Sequence, residues 1–366
     1  MNHSLIKFTR GVPPPESFPN LALVECTATA IAEFGPVIQQ YNPSRGFLPL
    51  RQMIAAEHQT QPERVLLGQG SLQLLDLAAR LLLKPGDEVY VEAPTYDRTI
   101  TALRRAGARV TGFPLDQDGP DPDQIERQLK AGPPPKLAYF ISDFQNPSGT
   151  LMSEEKRRAL VALAQKYNFW IFEDTPYRKL RYSGTDLPAL HDLLPEQVWR
   201  MSSFSKTIAP GLRVGYMLIP EPFADPMAKM AEDTYINASY INQAIVYDYI
   251  RRGWFATHLA GLKNLYRQRL EAALGALATY FEGKASWTHP QGGFFVGVWL
   301  DKHGNSKPSA DLLQAARSFG LELTDGRGFY PDGAGDNFVR LPFCGLTPQE
   351  IQEGVKRLSQ VVSSLA

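Results

Sequence analysis

Cysteine is scarce in this 366-residue sequence, and neither sign of charge is in excess. The two cysteines, Cys26 and Cys344, lie far apart and form no Cys-x-x-Cys pair, which speaks against a disulfide framework and a structural zinc site. Six scattered histidines make no His-x-x-x-His or His-Glu-x-x-His pair, so no metal centre is expected. Lys plus Arg is 38 and Asp plus Glu is 38, which leaves no basic footprint for nucleic acid and no polybasic face for a membrane. No uncharged run reaches the ~18 residues that a membrane-spanning helix needs. Residues 17–32 are mildly hydrophobic, but Glu25 interrupts them and no basic leader or cleavage site frames them. Repeats and low-complexity tracts are also missing. The expectation from these absences is a soluble cytoplasmic protein that binds neither nucleic acid nor membrane.

What is present is ordinary globular material, 43% apolar and 21% charged, enough for one large α/β unit or two domains. A Pro-rich piece at 12–15 excludes helix and central strand there. Beyond it, short apolar runs alternate with helical patterns. Apolar residues at 72, 74, 75, 78, 81 and 82 mark a helix with a wide buried face. Runs at 65–67, 88–91, 137–141, 169–172, 198–202 and 214–219 read as strands, and Ser153 caps a helix with Glu154 and Glu155 in its first turn. Near-continuous apolar strands separated by helices predict a mainly parallel sheet covered on both faces. From about residue 242 the pattern changes to a long helical stretch, then to mixed elements. The expected organisation is an N-terminal segment 1–35 packing on the small domain, a large α/β domain 36–245, and a smaller α+β domain 246–366.

In open parallel sheets, ligands gather beyond the carboxyl ends of the strands. Four polar clusters follow predicted strands: Gly68-Gln69-Gly70-Ser71, Gln145-Asn146-Pro147-Ser148-Gly149, Glu173-Asp174-Thr175-Pro176-Tyr177, and Ser203-Phe204-Ser205-Lys206 with Arg213 beyond. Gly70-Ser71 at a helix start is either an anion site or a tight turn with a capping serine. The third glycine of a dinucleotide fingerprint is missing. Lys206 is either a surface lysine or one pushed toward its nucleophilic neutral form by a nearby arginine or a dry pocket. Asp174 ends an apolar strand, as a helix cap or as a carboxylate awaiting a cation. Phosphate donors, a Schiff-base lysine and a carboxylate for a pyridinium nitrogen together specify pyridoxal phosphate.

On these blocks the sequence resembles the fold-type I, class I/II aminotransferases, in the branch of the 2-aminoadipate aminotransferases and the catalytic domains of MocR-type regulators. The resemblance runs from 8–13 (FTRGVP) and 41–51 (YNPSRGFLPLR) through GQGSLQ, EAPTY, QNPSG, EDTPY and SSFSKTIAPGLRVGY to 290–295 and 338–341. It implies the fold-type I architecture, pyridoxal 5'-phosphate as cofactor, and a free amino acid as substrate. By resemblance Lys206 carries the cofactor and moves a proton, Asp174 pairs with the pyridine nitrogen, and Tyr96 stacks on the ring. Asn146 and Tyr177 reach the phenolic oxygen. Gly70, Ser71, Leu72 (through its backbone N–H), Ser203, Ser205 and Arg213 form the phosphate cup. Tyr41 matches a tyrosine that reaches the phosphate of the neighbouring subunit, which implies a homodimer. Arg340 grips the α-carboxylate, with Gly11, Arg10 and Asn146 beside the substrate.

The sequence departs from that pattern in places. Arg10-Gly11 replaces Gly-Gly, Asp97-Arg98 follows the stacking tyrosine, and Asp325 stands where Pro-Gly is common. These charges are either solvated loops or a sign that the substrate side chain is polar or cationic. The leading expectation is an aminotransferase exchanging amino groups between an amino acid and a 2-oxo acid. The alternative is a lyase or cyclase acting on a polar or guanidino amino acid such as a hydroxylated arginine. A regulator is disfavoured because the family pattern begins by Phe8, ahead of which a DNA-binding domain has no room. An inert scaffold is disfavoured by the intact Lys206, Asp174 and Arg340.

Overall fold

Four strands too apolar to face water on either side, Val65–Gly68, Leu137–Phe140, Val198–Ser203 and Gly215–Leu218, are buried along their whole length. They form the middle and one edge of an eight-stranded sheet in the computed structural model, which describes residues 4–300 and 309–365. The sheet order is Val65–Gly68, Gly215–Leu218, Val198–Ser203, Trp170–Asp174, Leu137–Phe140, Glu88–Ala93, Arg109–Asp116 and Gly119–Pro120. The five strands from Val198–Ser203 to Arg109–Asp116 are mutually parallel. Gly215–Leu218 runs against both of its neighbours, and so does the short edge strand Gly119–Pro120 against its one. The sheet is therefore mainly parallel, as expected, with the 214–219 run reversed within it. The physical reason is the connection: between Ser203 and Gly215 the chain makes only 3-10 turns, Phe204–Lys206 and Pro210–Leu212, too short for a helical crossover.

Helices Ser71–Leu82, Asp97–Arg105 and Ala224–Tyr235 cover one face of the sheet, and Pro122–Ala131 and Glu154–Tyr167 cover the other. The last begins where expected, with the Ser153 side chain accepting from Lys156 N at 3.4 Å, and ends at Asn168 in the left-handed region (φ 56°). Such a serine cap contributes about 1 kcal/mol.

The predicted helical stretch from 242 is two helices, Tyr240–Arg251 and Trp254–Phe281, because Gly253 breaks it at φ 76°. The first packs with the large domain, and the domain limit expected at 245/246 falls inside it. The small domain holds an antiparallel sheet of Ser286–Trp287, Phe295–Trp299 and Phe338–Pro342, backed by Trp254–Phe281 and Pro348–Leu365.

The N-terminal segment divides between the domains. Strand Ile6–Phe8 pairs in parallel with Leu321–Leu323 and buries Ile6 and Phe8 in the small-domain core. Helix Asn20–Ile38 instead lies on Tyr240–Arg251, with Cys26 and Ala30 buried in the large-domain cluster. This helix is long and apolar enough (mean hydropathy 1.5) to cross a membrane by length and composition alone. Ion pairs from Arg251 and Arg252 to Glu33 and Glu25 fasten it to its neighbour, while Leu21, Val24, Ile31 and Val37 stay exposed.

The docking of the first strand depends on Gly354, where an added Cβ would sit 2.6 Å from the Phe8 ring and 3.1 Å from Ile6. Gly354→Ala is expected to displace that strand and to destabilise the fold by about 1–3 kcal/mol through overpacking. Urea denaturation of the two proteins measures it, and an unchanged midpoint would show that the strand docks without this close approach.

Candidate active site

The carboxyl ends of the parallel strands share one edge of the sheet, and the antiparallel strand begins there, since Gly215 pairs with both Gly68 and Ser203. The four polar clusters and Arg213 therefore converge. They line one cavity of about 480 Å³, together with residues 9–12 and Arg340 from the small-domain side.

At one end of the cavity Gly70 (φ 95°) turns the chain into helix Ser71–Leu82, whose first N–H groups have no partner within the helix. That positive φ favours glycine here, and an added Cβ would also lie 2.6 Å from the movable end of the Arg213 side chain. Arg213, itself left-handed at φ 53°, donates to Gln69 O at 2.7 Å. Ser203 Oγ donates to Ser205 Oγ at 2.9 Å. Free helix N–H groups, two hydroxyls and a guanidinium form an anion cup of the kind that takes a phosphate ester.

In the middle stand the two groups of opposite charge. Asp174 ends strand Trp170–Asp174; its Oδ2 accepts from Tyr139 O–H at 2.9 Å, and its buried Oδ1 has no partner among the described residues. Burial pushes this carboxyl up to about 7 against the opposing pull of Tyr139 and Lys206. An unpartnered buried carboxylate oxygen is costly, and a pyridinium N–H is the donor type that would satisfy it. Lys206 donates from Nζ to Gly11 O at 3.3 Å. Burial, aided by Arg213 and Arg340, lowers its ammonium below the usual range and enlarges the fraction of nucleophilic amine.

At the far end Arg340, on strand Phe338–Pro342, donates from Nη1 to Asn146 Oδ1 at 3.0 Å and from Nη2 to Thr9 O. The Phe295 and Phe329 rings lie 5.0 and 4.7 Å from its guanidinium. Its Nε is buried without a partner among the described residues, and a guanidinium is the group that best matches a carboxylate. Tyr177 is buried against Phe294 and Phe295, and Tyr96 lines the wall ahead of helix Asp97–Arg105. Every residue expected at the site lies along this cavity except Tyr41, which is 76% exposed and contributes nothing to its lining.

Residues to which the sequence assigned no role hold the site in place. Tyr139 is the partner of Asp174; it sat inside an apolar strand run with nothing to mark its hydroxyl. Gln145 joins Glu92 (3.2 Å) and Pro94 O (2.7 Å) to Ser148, and so fixes the loop that presents Asn146. Asp143 is fully buried among Arg157 (2.9 Å), Arg178 (2.8 Å) and Arg181 (3.6 Å). Burial alone would raise this carboxyl; Arg157 and Arg178 outweigh it and hold it below the ordinary carboxylate range. The network ties the loop bearing Asn146 to the one bearing Tyr177. The one available signal was a charge, Asp143, close behind the apolar strand run 137–141.

The sequence matches the description "Aminotransferase class I and II" over residues 4–358, and the chain belongs to that family. It is 32% identical to the 2-aminoadipate transaminase of Thermus thermophilus over 99% of this chain and 91% of that protein. Its fold superposes on the crystal structure of the alpha-aminoadipate aminotransferase of Thermus thermophilus in complex with N-(5'-phosphopyridoxyl)-L-leucine. The TM-score is 0.92 at 33% identity, covering 99% of this chain and 92% of that one. The multiple substrate aminotransferase of Thermococcus profundus gives 0.94 at 31%, covering 100% and 92%. The protein is a fold-type I aminotransferase that uses pyridoxal 5'-phosphate on amino acids, and these relatives do not favour the lyase or cyclase reading. The anion cup, the unpartnered Asp174 oxygen and the lowered Lys206 fit that cofactor.

Two outcomes follow. In cofactor-free protein Asp174 binds its proton more tightly when folded than unfolded, so its burial penalty is absent below about pH 4 and grows until about pH 7. Asp174→Asn should then stabilise the cofactor-free fold at pH 8, by roughly 4 kcal/mol at most, and much less at pH 5; denaturation at the two pH values measures it. Tyr139→Phe removes a hydrogen bond that favours the carboxylate, so the acidic limb of the holoenzyme's pH–rate profile should move to higher pH. An unmoved limb would reduce Tyr139 to a packing role.

Proposed function

We propose that the protein is a homodimeric cytoplasmic aminotransferase that moves an amino group between a free L-amino acid and a 2-oxo acid. The observation that carries this reading is the meeting of Lys206, Asp174 and Arg340 on one cavity, the last two each keeping a buried polar atom without a partner among the described residues. Pyridoxal phosphate, when bound, supplies a carbonyl for the amine and a ring that accepts electrons. The chain's own residues do the rest. Gly70, Ser71, Leu72, Ser203, Ser205 and Arg213 hold the phosphate, and Asp174 keeps a proton on the ring nitrogen. Arg340, oriented by Asn146 and Thr9, grips the substrate carboxylate and so fixes which Cα bond faces Lys206. Lys206, with its lowered affinity for protons, takes and returns the Cα proton at Nζ.

The dimer rests on Tyr41 and on the apolar surface beside it. Tyr41 follows helix Asn20–Ile38, whose exposed Leu21, Val24, Ile31 and Val37 give a second copy a surface to cover. Two free, buried cysteines fit a reducing compartment.

Mixing holoenzyme with an amino acid in the absence of any keto acid should yield pyridoxamine phosphate and the matching oxo acid, read by mass. Unchanged cofactor with an eliminated or cyclised product would overturn transamination. Lys206→Ala should lose turnover. Arg340→Ala should raise the substrate KM by the equivalent of about 1.5–3 kcal/mol for a charged hydrogen bond, and an unchanged KM would remove Arg340 from the substrate site.

A further inference from the structure

Residues 9–11 are held between the two cations that handle the substrate. Thr9 O accepts from Arg340 Nη2 and from Thr324 Oγ1 (2.8 Å), while Gly11 O accepts from Lys206 Nζ. Gly11 lies so close to Phe295 that an added Cβ would sit 2.3 Å from its ring. Between these two anchored residues Arg10 is exposed and lines the cavity. Its side chain is thus carried at a fixed station beside the place where a substrate held by Arg340 must project its own side chain.

The charges on the cavity wall decide what that side chain is. Asp174, Lys206, Arg213 and Arg340 are committed to the cofactor and to the α-carboxylate. Asp97 and Arg98 lie 3.6 Å apart and offset each other. No hydrogen bond or ion pair engages Arg10 among the described residues. The charge left over at the mouth is therefore positive, opposite in sign to what a cationic substrate side chain needs.

We propose that Arg10 is a specificity-determining residue and that the side chain it selects is acidic. The preferred substrates are then dicarboxylic amino acids and their 2-oxo acids, with the α-carboxylate on Arg340 and the distal carboxylate on Arg10. A planar guanidinium suits a carboxylate bidentately. A lysine- or arginine-like substrate would meet a like charge there, so the mouth discriminates by repulsion as well as by attraction. This inference rests on the aminotransferase reading above.

The test uses holoenzyme and two five-carbon acids without an amino group, glutarate and pentanoate, with binding measured by calorimetry. Glutarate is expected to bind about tenfold more tightly or better, the scale of one charged hydrogen bond. Arg10→Gln should erase that ratio and Arg10→Glu should invert it. In turnover, the ratio of kcat/KM for 2-aminoadipate to that for leucine should fall about tenfold in Arg10→Gln. The proposal is overturned if the wild type binds both acids alike or binds neither. It is also overturned if Arg10→Gln weakens both acids by one factor, which is what disturbing residues 9–11 alone would do. Failure of the underlying reading looks different: no amino acid converts the cofactor to its amine form, whatever the acids do.

Discussion

A carboxylate buried at the end of an apolar strand, with one oxygen unanswered, is the constraint on which this structure turns. Asp174 spends its Oδ2 on Tyr139 and leaves Oδ1 with no donor among the described residues. In a dry site such an oxygen is expensive, and a tyrosine hydroxyl offsets only part of the cost. A cationic N–H donor removes the rest. Lys206 faces the same physics with the opposite sign: burial loosens the hold of its ammonium on a proton, which favours its use as a nucleophile and proton carrier. The fold holds two titratable groups away from their ordinary ranges in one cavity, which is how a site acquires chemistry.

The sheet makes that juxtaposition rigid. Parallel strands bring their carboxyl ends to one edge, and the reversal at Gly215–Leu218 brings Arg213 back to the same edge. Beneath the loops, Asp143 with its arginines and Gln145 with Glu92 lock the segments that present Tyr177 and Asn146. A charged network of this kind gains little net stability, because desolvation cancels much of the attraction. Its effect here is positional: it allows two loops one arrangement relative to each other.

The small domain completes the site from outside. Arg340 reaches across to Asn146, and the N-terminal residues tie the two domains through Thr9 and Gly11. Contacts remote in sequence, between residues 9–11 and residues 206 and 340, thus shape the substrate's space.

The sequence by itself determined the strands, because full-length apolar runs admit no other burial. It also determined the cofactor chemistry, because a lysine, a carboxylate and an anion-binding turn at successive strand ends have few joint uses. Local signals such as the Ser153 cap act within one turn of chain, so they too were legible. The tertiary structure alone decided the rest, where the cause lies far away in the chain. It ran 214–219 antiparallel, broke the helical stretch at Gly253, and sent helix Asn20–Ile38 to the large domain while Ile6–Phe8 went to the small one. It chose Tyr139 from among several strand tyrosines and gave Asp143 three arginines from other segments. It left the charge of Arg10 uncompensated at the mouth. Pairing of charges and donors is a property of distance in space, and a linear pattern carries that distance only where the chain is too short to choose.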